Sequence, residues 1–86
     1  MEVIKKKDGS HLIDGSITIR ELNRITHWSL PTEGPKTLNG LIIEHMETIP
    51  EPGALLKLHG HMVEIIKLDG NIVKQVKFHP QQEASD

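Results

Sequence analysis

The segment from Asp8 to Asn23 constrains the fold more than any other part of this chain. It holds a tight turn, a short strand, a second turn and a complete helix start, with no spare residues between them. Asp-Gly, at Asp8-Gly9 and again at Asp14-Gly15, is a strong short turn signal. Glycine accepts positive φ, and the Asp side chain bonds its own backbone two residues on. Thr18 and Glu21 stand three apart, as a capping box requires: the hydroxyl accepts from the backbone N–H of Glu21 while the carboxylate reaches back to that of Thr18. Ile17 and Leu22 flank them at hydrophobic-staple spacing. Local signals this consistent describe a folded domain, and nothing in the segment has the pattern of an active site.

Length and composition exclude several functions. A chain of 86 residues makes one domain with a thin core. No apolar run approaches the roughly 20 residues that span a bilayer, so direct membrane insertion is not expected. There is no cysteine, which removes disulfides, thiolate zinc sites and cysteine nucleophiles together. The net charge of −2 and the scattered Lys and Arg argue against nucleic acid as a partner, because counterion release needs a basic stripe. Lys5-Lys6-Lys7 reads instead as the solvated face of an edge strand, where Lys discourages pairing with another sheet. Trp28 and Phe78 alone are too few for a base-stacking platform.

Periodicity and punctuation predict the order ββααβββ. Strands are expected at Glu2–Lys7 and Ser10–Asp14, then a helix from Ile19 to about His27 with Ile19, Leu22, Ile25 and Thr26 facing inward. Pro31 ends any continuation, and Thr32–Lys36 is a polar loop. Thr37 caps a second helix from Leu38 to about Thr48, whose apolar side is Leu38, Leu41, Ile42, His45/Met46 and Ile49. Gly40 inside it costs about 1 kcal/mol relative to Ala, which a close approach by another element would explain. Ile49-Pro50-Glu51-Pro52-Gly53 redirects the chain into strands at Ala54–His59, His61–Asp69 and Ile72–His79. The last of these would carry Ile72, Val76 and Phe78 on one face, with Val73, Gln75 and Lys77 on the other. The longer strand shows Val63 and Ile65 on one side and Met62, Ile66 and Leu68 on the other, as for a central strand covered on both faces. The fold class is α+β: a small, mostly antiparallel sheet of about five strands with two helices packed on it. Residues 1–79 form the domain and 80–86 a flexible polar tail.

The order of these signals resembles the CorC/HlyC-type transporter-associated domain. The matching pieces are Asp8-Gly9-Ser10-His11-Leu12-Ile13-Asp14-Gly15, Ile19-Arg20-Glu21-Leu22-Asn23, Trp28-Ser29-Leu30-Pro31, Thr37-Leu38-Asn39-Gly40-Leu41-Ile42 and Ile49-Pro50-Glu51-Pro52-Gly53. Val63-Glu64-Ile65, Asp69-Gly70 and Val76 of the final hairpin also fit, so the resemblance covers about Asp8 to Phe78. It implies the C-terminal module of a bacterial membrane protein associated with magnesium and cobalt efflux or with hemolysin-like activity. That protein would carry a transmembrane domain and paired CBS domains, which are then the module's partners, with a homodimer as a further partnership. It implies a place on the cytoplasmic face of the inner membrane, and a fold similar to part of an FAD-binding (PCMH-like) domain. The membrane and CBS portions are absent from this sequence, so the expectation is either an excised C-terminal piece beginning at an added Met1 or a module that stands alone.

Candidate chemistry is sparse. His59-Gly60-His61 is the pattern most suggestive of a metal, since imidazole binds Zn, Ni or Co and two His flanking a turn can converge on one ion. A firm site needs three or four ligands with an ordered outer shell, and no third ligand is singled out. The expectation is a hairpin turn with both imidazoles in solvent and no metal site, His59 and His61 being the candidates otherwise. Glu44, Glu47 and Glu51 offer oxygens for Mg²⁺ but read as a solvated helix face. Trp28, Leu30 and Pro31 would line an apolar groove for a flavin or adenine ring, yet no Gly-rich nest is present to hold a pyrophosphate. Ser10, Ser16 and Ser29 lack a nucleophile context. The reading is a non-catalytic regulatory module without a resident cofactor, docking through a sheet edge or the rim at Trp28 and Leu30. The alternative is a small domain that binds a divalent metal or an adenine-containing cofactor such as FAD.

Overall fold

The two Asp-Gly-Ser turns set the geometry of the first hairpin. In a computed structural model that describes residues 2–81, Asp8 Oδ1 accepts from the backbone N–H and the hydroxyl of Ser10 at 2.9 and 2.6 Å. Asp14 Oδ1 does the same for Ser16, at 2.9 Å in both bonds. These hydroxyl and amide donors hold both carboxyls below their ordinary range. Between and before the turns run β1 (Val3–Lys5) and β2 (His11–Asp14), paired antiparallel. The remaining elements are α1 (Ile19–Thr26), α2 (Leu38–Met46), β3 (Leu55–Leu58), β4 (His61–Asp69) and β5 (Ile72–Phe78). The fold is α+β, with one fully antiparallel sheet in the order β1-β2-β5-β4-β3. The predicted ββααβββ order holds, and so does the solvated edge: Lys5, Lys6 and Lys7 are all exposed beside β1.

Each helix is capped by a threonine. The Glu21 N–H donates to Thr18 Oγ1 and the Gly40 N–H to Thr37 Oγ1, both at 3.2 Å. The capping box is only half built, because the Glu21 carboxylate takes two bonds from the Arg24 guanidinium at 2.9 and 2.6 Å instead of turning back to Thr18. Ile17 and Leu22, the residues at staple spacing, are both buried in the core. The caps also lock the helices together. The Ile19 N–H donates to the Lys36 carbonyl and the Leu38 N–H to the Ile17 carbonyl, around a bridge between Thr18 and Thr37.

The inward faces are narrower than the periodicity implies. Ile25 is exposed and Thr26 half-buried, its hydroxyl bonded to the Leu22 carbonyl at 2.7 Å. At 100° per residue, Ile25 lies roughly 90° from the direction midway between Ile19 and Leu22, while Thr26 is nearly on it. In α2, Glu47 adopts a left-handed conformation (φ 61°) and stops the helix before Thr48, leaving Ile49 exposed. Gly40 has the expected explanation in packing, since a Cβ there would sit 2.9 Å from Cβ of Pro35.

The sheet departs from simple alternation. Ile66 on β4 and Lys74 on β5 are each an extra residue in their ladder, because Ile65 pairs with Val76, Lys67 with Gln75 and Leu68 with Val73. The bulge at Lys74 reverses the parity of β5, so Val73, Val76 and Phe78 share the buried face and Ile72 is exposed. The expected grouping of Ile72 with Val76 and Phe78 is therefore corrected. The core comprises Ile13, Leu56, Leu58, Val63, Ile65, Val73, Val76 and Phe78 from the sheet, with Ile17, Ile19, Leu22, Leu30, Leu38, Leu41 and Ile42 packed over them. The expectation that β4 is covered on both faces is also overturned: Met62 on its outer side is exposed. The tail expected at 80–86 lies, from residue 82 onward, outside the described residues. Pro80 packs beside Gly9, and the Gln81 amide reaches the Gly60 carbonyl at 3.5 Å.

Candidate functional site

The His59-Gly60-His61 turn separates its two imidazoles. His59 (φ 47°) and Gly60 (φ 89°) both take left-handed backbone, making the two-residue bend that suits the twist of a β3–β4 hairpin. That bend leaves His59 exposed, its ring centroid 6.2 Å from that of His45 at the end of α2. His61, the first residue of β4, turns into the core face and is only 7% exposed. The expectation that both rings are solvated is corrected for His61. Strand alternation puts His61 on the same side as Val63 and Ile65, whereas the turn residue His59 has no such constraint.

His61 belongs to an aromatic cluster built on three strands and one loop. The Trp28 indole stacks on Phe78 of β5 with centroids 4.8 Å apart and planes inclined 20°. His11 of β2 meets the indole edge-on at 5.0 Å, and His61 lies 4.5 Å from it with its plane inclined 44°. Burial of the ring is the main cause that holds His61 below its usual value, followed by the charges of His11 and His59. His11 is lowered chiefly by burial and secondarily by Lys5. Near neutral pH both are uncharged, as contact with apolar rings favours.

Two asparagines unmarked by the sequence hold this arrangement. Asn23 in α1 clamps the loop that carries Trp28, donating to the Leu30 carbonyl at 2.9 Å and accepting from the Leu30 N–H at 3.0 Å. Asn39 in α2 accepts from the Val73 N–H at 2.8 Å, satisfying the backbone next to the β5 bulge. Both sit inside helices, where Asn is a mediocre former; that is the one signal a sequence offers. Leu30 is clamped and buried and so lies outside the rim expected at Trp28 and Leu30, whereas Trp28 is half-buried. Glu44, Glu47 and Glu51 remain exposed. Among the described residues, no three His, Asp or Glu side chains come together as metal ligands would.

The opposite face of the sheet is bare. One row across it runs Ile4, Leu12, Lys77, Glu64 and Leu55, each paired with the next by strand register. The neighbouring row contains Lys57 and Met62, and a shallow depression there is lined by Lys57, Gly60, Met62, His79, Pro80 and Gln81. Leu55 is 61% exposed, Ile72 53%, Met62 45% and Ile4 44%. At its centre the Glu64 carboxylate lies 3.2 Å from His79 Nε2. Lys77, its direct cross-strand neighbour, has no ion pair among the described residues. These four apolar side chains are not contiguous, since Lys77, Glu64 and His79 stand between Ile4 and the Leu55–Met62 pair and Ile72 lies at the far end of β5. All four are nonetheless exposed on one face.

Comparison with known proteins agrees with this architecture. Residues 4–82 match the profile of CorC_HlyC, the transporter associated domain. The chain is 45% identical over 76 residues to a UPF0053 protein of Haemophilus influenzae, covering 88% of this chain and 18% of that protein. It is 38% identical over 79 residues to the UPF0053 inner membrane protein YfjD of Escherichia coli, covering 92% and 18% respectively. The chain thus spans about a fifth of the length of these curated relatives. Its fold superposes with a TM-score of 0.87 on a conserved H. influenzae protein of unknown function, at 40% identity, covering 93% of this chain and 99% of that one. A second neighbour is the transporter associated domain of a Xylella fastidiosa hemolysin in complex with Mg++ and Mn++, with a TM-score of 0.82, 28% identity and coverage of 95% and 100%. Within the described residues no helix is long and apolar enough to cross a membrane.

Proposed function

Since the chain belongs to the CorC/HlyC family of transporter-associated domains, we propose that it is a regulatory docking module of a bacterial magnesium or cobalt transporter and carries out no chemistry of its own. It acts on the cytoplasmic side of the inner membrane, next to the CBS domains of the same protein. One observation carries this reading: a closed core is joined to a bare sheet face that exposes Ile4, Leu55, Met62 and Ile72 among charged side chains. Its relatives are several times its length, which supplies neighbours for such a face. Modulation requires contacts that differ between two transporter states, because a contact made equally in both shifts nothing. Removing the module from the full-length transporter and measuring Mg²⁺ or Co²⁺ flux tests the proposal. Altered flux, or flux that no longer responds to intracellular cation, is expected; unchanged transport and regulation would refute it.

A divalent-cation site is the second reading, favoured by the Mg++ and Mn++ bound to the Xylella relative. Titration calorimetry of the isolated chain with Mg²⁺, Mn²⁺ and Co²⁺ decides it. Saturable heat that disappears on His59→Ala supports a site at the hairpin, and a flat titration removes it.

A further inference from the structure

We infer that His45 and His59 together form a two-imidazole site for a late transition-metal ion of the Zn²⁺, Ni²⁺ or Cu²⁺ class. This deepens the second reading above: it rests on that reading for the hairpin location and not on binding of Mg²⁺ or Mn²⁺. The two residues come from different elements, His45 from the last turn of α2 and His59 from the bend between β3 and β4. Both are exposed, and their ring centroids lie 6.2 Å apart with planes inclined 55°. Metal–nitrogen bonds of about 2.0–2.1 Å set two imidazole centroids about 5 Å apart around a tetrahedral ion, and about 6 Å apart where the angle is wider. The pair is within about 1 Å of ligating geometry, a distance that side-chain rotation covers at two exposed positions.

Fixed backbone on both sides supplies the preorganisation such a site needs. Buried Leu41 and Ile42 anchor α2, and the Glu47 N–H closes it by donating to the Ile43 carbonyl at 2.9 Å. His59 is held between Leu58, which is wholly buried, and the left-handed Gly60. The remaining imidazoles are placed elsewhere: His11 and His61 pack against Trp28, His79 lies 3.2 Å from Glu64, and His27 ends α1. Donor chemistry selects the ion. Imidazole suits Zn²⁺, Ni²⁺ and Cu²⁺, whereas Mg²⁺ takes oxygen ligands and keeps several of its waters. The Glu44 carboxylate, next to His45 in the chain, lies over Gly34 instead, 3.7 Å from where a Cβ would stand there. No third His, Asp or Glu gathers at the pair among the described residues, so water fills the ion's other positions. An ion held this way ties the end of α2 to the β3–β4 hairpin, binds the folded chain alone and stabilises it by mass action.

Titration calorimetry of the 86-residue chain with Zn²⁺, with thermal melts in its presence and absence, reads this out. One saturable Zn²⁺ site and a raised Tm are expected. His45→Ala and His59→Ala should each weaken Zn²⁺ binding by about tenfold or more, at least what loss of an outer-shell partner costs a metal site. Both side chains are exposed, so the variants should fold, which circular dichroism checks. Nuclear magnetic resonance gives the location: paramagnetic Cu²⁺ should broaden the ring signals of His45 and His59 before those of His61. A flat Zn²⁺ titration, affinity unchanged in His45→Ala, or broadening confined to one of the two rings overturns the inference. Heat with Mg²⁺ or Mn²⁺ but none with Zn²⁺ would uphold the second reading and overturn this one; the reverse pattern would do the opposite.

Discussion

Gly15→Ala should be the most damaging small substitution in this chain, for a reason that turn chemistry does not supply. Gly15 does not have positive φ, so an Ala there faces no conformational penalty of that kind. Its Cβ, however, would lie 2.0 Å from the Val73 carbonyl oxygen and 2.9 Å from the Val73 carbonyl carbon. Both obstacles are backbone, and relief requires β5 to retreat by roughly 1 Å. That retreat breaks the bond from the Gly15 N–H to the Lys74 carbonyl and the one from the Val73 N–H to Asn39 Oδ1, each 2.8 Å long. The strain of overpacking is about 1–3 kcal/mol and each lost bond about 1 kcal/mol, so the expected loss is about 3–5 kcal/mol. For a domain of this size 1 kcal/mol moves Tm by about 4–8 °C, so a fall of about 12–40 °C should appear by calorimetry or circular dichroism. Gly53→Ala is the control. Gly53 has φ 89° and nothing within 4 Å of a built Cβ, so it incurs only the left-handed penalty of about 1–2 kcal/mol. A Gly15→Ala protein within 0.5 kcal/mol of wild type (an outcome of about the noise in such measurements) would refute the reasoning, as would Gly53→Ala being the worse of the two.

Further outcomes follow from the same contacts. His61 and His11 are held below their ordinary value of 6.5 in the folded chain, so the unfolded chain binds more protons beneath that pH. Stability from this source is complete above pH 6.5 and declines as the pH falls through the range between the unfolded and folded values; Asp8, Asp14 and Glu21 contribute their loss lower, below the carboxylate range. Thermal melts should show that first loss, reduced in His61→Phe; an unchanged slope counts against the cluster. Asn23→Ala strands both backbone groups of Leu30 and should cost about 1–3 kcal/mol in urea denaturation, with Trp28 fluorescence shifting to the red. Thr37→Ala removes the α2 cap and should cost about 1 kcal/mol by the same assay.

Sequence and structure agree where the physics is local. Thr18, Thr37 and the Asp-Gly turns act within three residues of themselves, which is why element order and both helix starts were legible. Contacts set by distant pairing were not. The bulges at Ile66 and Lys74 depend on how β4 and β5 meet, and Asn39 reaches a strand 34 residues away. The same limit explains His59 and His61: adjacency suggested convergence, but the bend directs one ring outward and strand alternation the other inward. The bare face was hidden because Met62, Leu55 and Ile72 look, in a sequence, the same as core residues. Only the placement of both helices on one side distinguishes them.

If the bare face joins this module to transport, as proposed, charging it must change transport without unfolding the module. Cation flux through the full-length transporter carrying Leu55→Lys and Met62→Lys tests it most directly, with unfolding of the isolated double variant measured alongside. Altered regulation of flux is expected in a module that folds with nearly unchanged stability, since both side chains are already exposed. Flux and regulation identical to wild type, with the module folded, would contradict it.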